Sequence, residues 1–175
     1  MFMENNKLIR LSGMAYESLA NGPGIRRVLY SQGCKHNCHS CFNMDTHSFL
    51  GGELKDMDEI IASITSNPML NGVTFSGGDP FEQADKFAYI AKEIKKSNLN
   101  IWSYTGYTFE YILEHKSESN GWGELLKYID VLVDSKFVEA KKDPRIKFRG
   151  SSNQRIIDVQ DTLKSGHLKI LNYDN

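Results

Sequence analysis

The chain has 175 residues, of which 40% are apolar and 25% charged, and its formal net charge is −1. That length and composition suit one globular domain with a sizeable core. The near-neutral charge speaks against a broad nucleic-acid-binding face, and no apolar run approaches the roughly 20 residues that span a bilayer.

Met1 to Arg10 lacks the long apolar stretch of a secretory signal, so a cytoplasmic protein with reduced thiols is expected. Arg26 to Ser31 reads as a strand that ends just before a loop carrying all three cysteines of the chain. Asp58 to Ser66 reads as a helix with Ile60, Ile61 and Ile64 on one face, stopped by Asn67-Pro68. Gly72 to Ser76 is a short strand that runs into the turn Gly77-Gly78-Asp79-Pro80. Phe81 to Lys96 places Phe81, Ala84, Phe87, Ala88, Ala91 and Ile94 at helical spacing. Leu99 to Tyr104 reads as a strand, followed by a turn at Thr105-Gly106-Tyr107. Phe109 to His115 and Gly123 to Tyr128 read as helices, and Ile129 to Asp134 as a strand. Arg155 to Val159 and Leu168 to Leu171 are weaker strand candidates.

Strands that alternate with helices imply βαβ units and a mostly parallel sheet. There are too few units for a closed eight-fold barrel, so an open, partial (β/α) barrel over residues 1–175 is expected. The chemically notable residues all follow strands, where α/β folds place their sites.

The cysteines stand as Cys34-Lys35-His36-Asn37-Cys38-His39-Ser40-Cys41. Three thiolates on one loop can converge on one metal centre. A [4Fe–4S] cube usually takes four thiolates, so three leave one iron open, as a site of chemistry requires. The competing reading is a structural Cys₃His zinc site that uses His36, His39 or His47. The absence of a second cysteine knuckle favours iron–sulfur, with the histidines as solvated loop residues. The Gly-Gly-Asp-Pro turn reads either as a plain turn or as a place where glycines let backbone approach a ligand. Arg149-Gly150-Ser151-Ser152-Asn153-Gln154-Arg155 is dense in donors and acceptors suited to a ribose or a carboxylate. The basic residues from Lys141 to Arg149 read as a solvated face or a docking edge.

Asn21-Gly-Pro-Gly-Ile-Arg26, the cysteine motif ending in Phe42-Asn43, and Ser76-Gly-Gly-Asp-Pro80 together resemble the radical S-adenosylmethionine (SAM) activases of glycyl-radical enzymes. Tyr104-Thr-Gly-Tyr107, Val133-Asp-Ser-Lys-Phe137 and Arg149-Gly-Ser-Ser-Asn-Gln-Arg155 are similar to one branch, the anaerobic ribonucleoside-triphosphate reductase activators. The lead-in departs from the pattern at Asn21, more often Asp. Position 79 is Asp where the wider superfamily has Glu. The resemblance implies that Cys34, Cys38 and Cys41 hold a [4Fe–4S] cluster. It implies that Ser40, Cys41, Phe42, Gly77, Gly78, Asp79, Asp134, Ser135 and Lys136 line a SAM pocket. No side-chain acid or base is implied, because the radical derives from SAM. The implied partners are the glycyl-radical subunit of the reductase and an electron donor such as flavodoxin, with no nucleic acid and no membrane. Alternatives are an activase of another glycyl-radical enzyme, a small-molecule radical SAM synthase, or a zinc-stabilised binding module.

Overall fold

In the computed structural model, residues 7–174 are described. The reading of Met1 to Arg10 therefore lies in part outside the described residues. Four parallel strands form the centre: β2 (Arg26–Ser31), β4 (Gly72–Gly77), β5 (Asn100–Tyr104) and β6 (Val131–Asp134). Three more complete the sheet: β1 (Leu8–Ser18), β3 (Glu53–Asp56) and β7 (Arg155–Asp158). The order is β3-β1-β2-β4-β5-β6-β7. β1 is antiparallel to β2 and to β3, and β7 is antiparallel to β6. Five strands thus share one direction and β1 and β7 oppose it. The fold is α/β with a mixed, mostly parallel seven-stranded sheet. Among the described residues no pairing joins the edge strands β3 and β7.

The central strands are buried on both faces, as in a parallel sheet covered on both sides, with a few polar residues such as Arg26, Thr74 and Ser103 among the apolar ones. Alternate residues go to opposite sides. Leu29, Phe75, Ile101, Leu132 and Ile157 join the large core under the helices. Trp102, Val131, Val133 and Ile156 form a second cluster on the other face. Helices α1 (Met57–Thr65) and α2 (Ala84–Lys95) cover the first face with Ile60, Ile64, Phe87, Ile90 and Ile94. α3 (Phe109–His115), α4 (Trp122–Leu126) and α5 (Val159–Ser165) follow. None of the described helices is long and apolar enough to cross a membrane.

Most expected elements lie within a residue or two of their predicted ends. The helix expected from Phe81 begins instead as a 3₁₀ turn over Pro80–Gln83, because Asp79 accepts from Phe81 N and caps that turn. Leu168 to Leu171 forms no strand; a single bridge links Ile170 to Ile157. β1, β3 and α5 were not expected. β1 hides its period of two behind register shifts at Leu11/Gly13 and Ala15/Ser18. β3 is a short polar edge strand held by backbone pairing alone.

The Asn21–Arg26 lead-in sits at the start of β2, the far end of that strand from the cysteines. The Arg26 side chain is buried without a carboxylate on it. Its guanidinium donates to Thr74 Oγ1 at 2.8 Å, Val73 O at 2.8 Å and Asn100 O at 3.1 Å. It also lies 5.5 Å from the Trp102 ring centroid. Burial draws it down to about 10 from its ordinary value. This motif ties three parallel strands together and does not line the cavity beside the cysteines.

After α5 the chain crosses the second cluster. Leu171 N donates to Ile156 O at 2.7 Å, and Tyr173 packs edge-on against Trp102 and Phe148, each at 5.5 Å. Asp174 accepts from Lys147 N at 2.9 Å and pairs with Arg149. Truncation after His167 removes Leu171 and Tyr173 from this cluster. Each is partly buried, so a loss of roughly 2–3 kcal/mol is expected, measured by urea unfolding of the apoprotein.

Candidate metal centre and its cavity

The cysteine loop leaves β2 through Gln32 and Gly33 and is held from behind by residues 43–48. Gly33 N donates to Thr46 O at 2.7 Å and Cys34 N to His47 O at 3.1 Å. Gln32 Nε2 donates to Ser48 O at 2.6 Å and Asp45 O at 3.1 Å. Asn37 and Ser40 take positive φ values of 48° and 56°, which turn the loop tightly between the thiols. Cys34, Cys38 and Cys41 are free and half-buried, and all three line one cavity of about 210 Å³. Its other walls are Ser76, Gly77 and Gly78 at the end of β4, and Tyr104, Thr105 and Gly106 at the end of β5. Ser135, Lys136 and Phe137 follow β6, and Gly150 and Gln154 precede β7. The cavity thus lies at the carboxyl ends of the parallel strands, where an α/β fold gathers a site.

Burial is the main cause that pushes the Cys34 thiol up to about 11, and burial likewise raises Cys38. A metal that binds such thiols displaces their protons. The donor set fits an iron–sulfur cube, in which each thiolate takes its own iron. No group of three or more His, Cys, Asp or Glu among the described residues forms a metal-ion site. Two of the three candidate zinc histidines are also committed elsewhere. His36 Nε2 donates to Asp79 Oδ2 at 2.6 Å, and His39 Nδ1 to Glu139 Oε2 at 2.9 Å. His39 is solvated, as expected. His36 is not; its side chain is only 6% exposed.

Gly77 and Gly78 bring β4 against the base of the cysteine loop. Gly77 has φ +92°. Gly78 N donates to Ser31 O at 2.7 Å, and Asp79 N to Gly33 O at 2.9 Å. A Cβ on Gly78 would stand 2.4 Å from Gly33 O and 3.0 Å from Thr46 O. Both are backbone atoms and cannot swing aside. The glycines therefore serve a backbone-to-backbone approach as well as lining the cavity. Gly78→Val is expected to disorder the cysteine loop and to lower iron and sulfide uptake, which metal analysis after anaerobic reconstitution would register.

The predicted cavity residues divide. Phe42, Gly77, Gly78, Ser135 and Lys136 line the cavity with the cysteines; Ser40, Asp79 and Asp134 do not. Ser40 is exposed, and its hydroxyl meets His39 Nδ1 at 3.1 Å. Asp79 is fully buried. Its carboxylate accepts from His36, from Thr105 Oγ1 at 2.9 and 3.0 Å, from Gly106 N at 3.0 Å and from Phe81 N at 3.0 Å. Asp134 is buried too, and accepts from Phe109 N at 2.8 Å and Arg155 Nε at 3.0 Å. These two carboxylates organise the walls from behind. Asp79 fixes His36, whose ring meets Tyr107 edge-on at 4.3 Å.

His36, Asn43, His47, Ser76, Tyr104, Thr105, Gly106, Phe137, Gly150 and Gln154 also line the cavity, outside the pocket residues that the resemblance implies. Two signals were present: the Thr105-Gly106 turn follows a strand, and Gln154 lies in the donor-rich 149–155 segment. Gln154 Oε1 accepts from Gly150 N at 2.8 Å, and its Nε2 donates to Ser135 O at 3.1 Å, joining two walls. In the basic stretch, Lys142 lies over the Phe42 ring at 5.1 Å and Arg145 pairs with Asp143 at 2.9 Å.

The fold and thiol set define a cluster-binding α/β protein, and a family described as a 4Fe-4S single cluster domain matches residues 20–157. A relative from Vibrio cholerae is 37% identical over 146 residues, covering 79% of this chain and 90% of that protein. One from Enterobacteria phage T4 is 35% identical over 142 residues, covering 78% and 85%. One from Escherichia coli K12 is 32% identical over 144 residues, covering 78% and 90%. All three carry the name anaerobic ribonucleoside-triphosphate reductase-activating protein. The chain belongs to this family of activating proteins. Among solved structures, QueE from Escherichia coli overlaps 60% of this chain and 56% of its own, with a TM-score of 0.46 and 13% identity, a likeness too remote to build on.

Proposed function

We propose that this protein is a radical SAM activase that installs a glycyl radical on the anaerobic ribonucleoside-triphosphate reductase. The observation that carries the reading is the convergence of Cys34, Cys38 and Cys41 on one cavity at the strand ends, in a member of the activating-protein family. Residues 1–175 act as one radical SAM domain, an open partial (β/α) barrel. When bound, a [4Fe–4S] cluster supplies the electron that cleaves SAM into methionine and a 5′-deoxyadenosyl radical.

The residues of the chain bind, orient and exclude water. Cys34, Cys38 and Cys41 would hold the cluster, and three thiolates would leave it a position open to SAM. Gly77 and Gly78 present main-chain groups to the methionine end, where a side chain would intrude. Phe42 and Phe137, with rings 4.8 Å apart, form an apolar wall that keeps water from a reactive intermediate. Ser135, Lys136 and Gln154 offer polar contacts across the cavity. Asp79 and Asp134 act through His36 and Arg155 as positioning residues. No side chain would be needed as acid or base, because the hydrogen atom taken from a glycine Cα would end on 5′-deoxyadenosine.

A substrate glycine carried by a partner suits a cavity this open, since small-molecule sites bury most of their ligand. The basic edge around Lys142 would meet the reductase. An electron donor such as flavodoxin would act in the reducing cytoplasm. The test is anaerobic reconstitution followed by incubation with SAM and dithionite. A brown protein with iron and sulfide that yields 5′-deoxyadenosine and methionine is expected. A colourless, zinc-containing protein without SAM cleavage would defeat the proposal.

A further inference from the structure

Among the described residues, His47 is the one cavity-lining residue with a buried side-chain polar atom that has no partner. Its Nε2 is out of contact with solvent and bonded to nothing. The other two histidines near the cysteines have acceptors in Asp79 and Glu139. The backbone on either side of the His47 ring is fixed. Cys34 N donates to His47 O at 3.1 Å, Gly33 N donates to Thr46 O at 2.7 Å, and the Thr46 hydroxyl donates to Asn43 O at 2.6 Å. The His47 backbone is therefore held against that of Cys34, so the residue enters the cavity lining from the base of the cysteine loop.

Most buried polar atoms in folded proteins have hydrogen-bond partners, and an exception in a cavity wall is suited to a partner that the cavity receives. We propose that His47 Nε2–H donates a hydrogen bond to the sulfur core held by Cys34, Cys38 and Cys41, and that this bond raises the reduction potential of the core. This rests on the cluster reading of the three thiols. Hydrogen bonds to sulfur favour the more negative, reduced state, which is one of the means by which proteins set such potentials. The bond needs only an N–H at Nε2, which both the neutral Nε2–H tautomer and the imidazolium supply.

The test uses His47→Phe, His47→Leu and His47→Gln in the full chain, reconstituted anaerobically. Three quantities are read: iron and sulfide per chain, the midpoint potential without SAM by a redox titration monitored by electron paramagnetic resonance, and SAM affinity by equilibrium binding. All variants are expected to hold a full cluster. In His47→Phe the reduction equilibrium should move about tenfold toward the oxidised form, ~59 mV lower for a one-electron couple. His47→Gln keeps an N–H and should recover much of that shift. His47→Leu makes the same comparison with a smaller side chain if the phenyl ring obstructs assembly. An unchanged potential in fully loaded apolar variants overturns the proposal. So does an unchanged potential with weakened SAM binding, which would place the acceptor on SAM. Wild-type protein that assembles no cluster would overturn the cluster reading itself, and metal analysis shows that before any variant is made.

Discussion

Replacing Cys34, Cys38 or Cys41 by alanine is expected to abolish stable cluster retention and, with it, SAM cleavage. These are the only three thiols of the chain. No fourth cysteine is available to substitute, and His36 and His39 are held by Asp79 and Glu139. Removing a residue that merely orients a metal ligand costs roughly 10–100-fold in metal affinity or activity, so removing a ligand should cost at least about 100-fold. Iron and sulfide per chain after anaerobic reconstitution and desalting provide the measure. The fold should survive, because the thiols lie on a loop outside both apolar clusters. A full complement of iron and sulfide in all three variants, with SAM cleavage retained, would disprove the assignment.

Asp79→Ala is expected to act on stability first and on the site second. The carboxylate is wholly buried and accepts from an imidazole, a hydroxyl and two backbone amides on different elements. Alanine would leave those donors buried and unmet. Removing one member of a buried charged network costs about 3–5 kcal/mol, a large part of a typical folding stability of about 5–15 kcal/mol. The melting temperature of the apoprotein should fall by roughly 10 °C. Release of His36 and of the 3₁₀ turn cap should then lower cluster loading. Asp79→Asn keeps the shape but places an amide where donors already converge, so it should also destabilise. If Asp79→Asn melts like the wild type and only SAM affinity falls, the carboxylate works on the ligand directly and the structural account of it fails.

Much of the sheet was legible because its central strands carry short stretches rich in β-branched, leucine and aromatic residues, with glycines or polar turns at their ends. Arg26–Ser31 and Phe109–His115 coincide with their predicted spans. β1 was illegible because bulges break its alternation, and β3 because an edge strand pairs through its backbone and needs no apolar pattern. At the site, spacing located the thiols, since one loop carries all three. Position along the chain could not tell which way a carboxylate faces. Asp79 and Asp134 both follow strands, yet each turns inward because its donors come from elsewhere: His36 and Thr105 for the first, Arg155 and the Phe109 amide for the second. Gln154 reaches the cavity only because β7 folds back antiparallel to β6 and brings the preceding loop beside Ser135. Such partnerships arise from topology, which local pattern does not encode.

The most direct measurement of the central claim is an electron paramagnetic resonance spectrum of the anaerobic reductase after incubation with this protein, reduced and cluster-loaded, and SAM. A glycyl-radical doublet should appear on the reductase and be absent when SAM is omitted or when any of Cys34, Cys38 and Cys41 is replaced by alanine. A loaded protein that cleaves SAM readily while no radical ever forms on the reductase would contradict the claim.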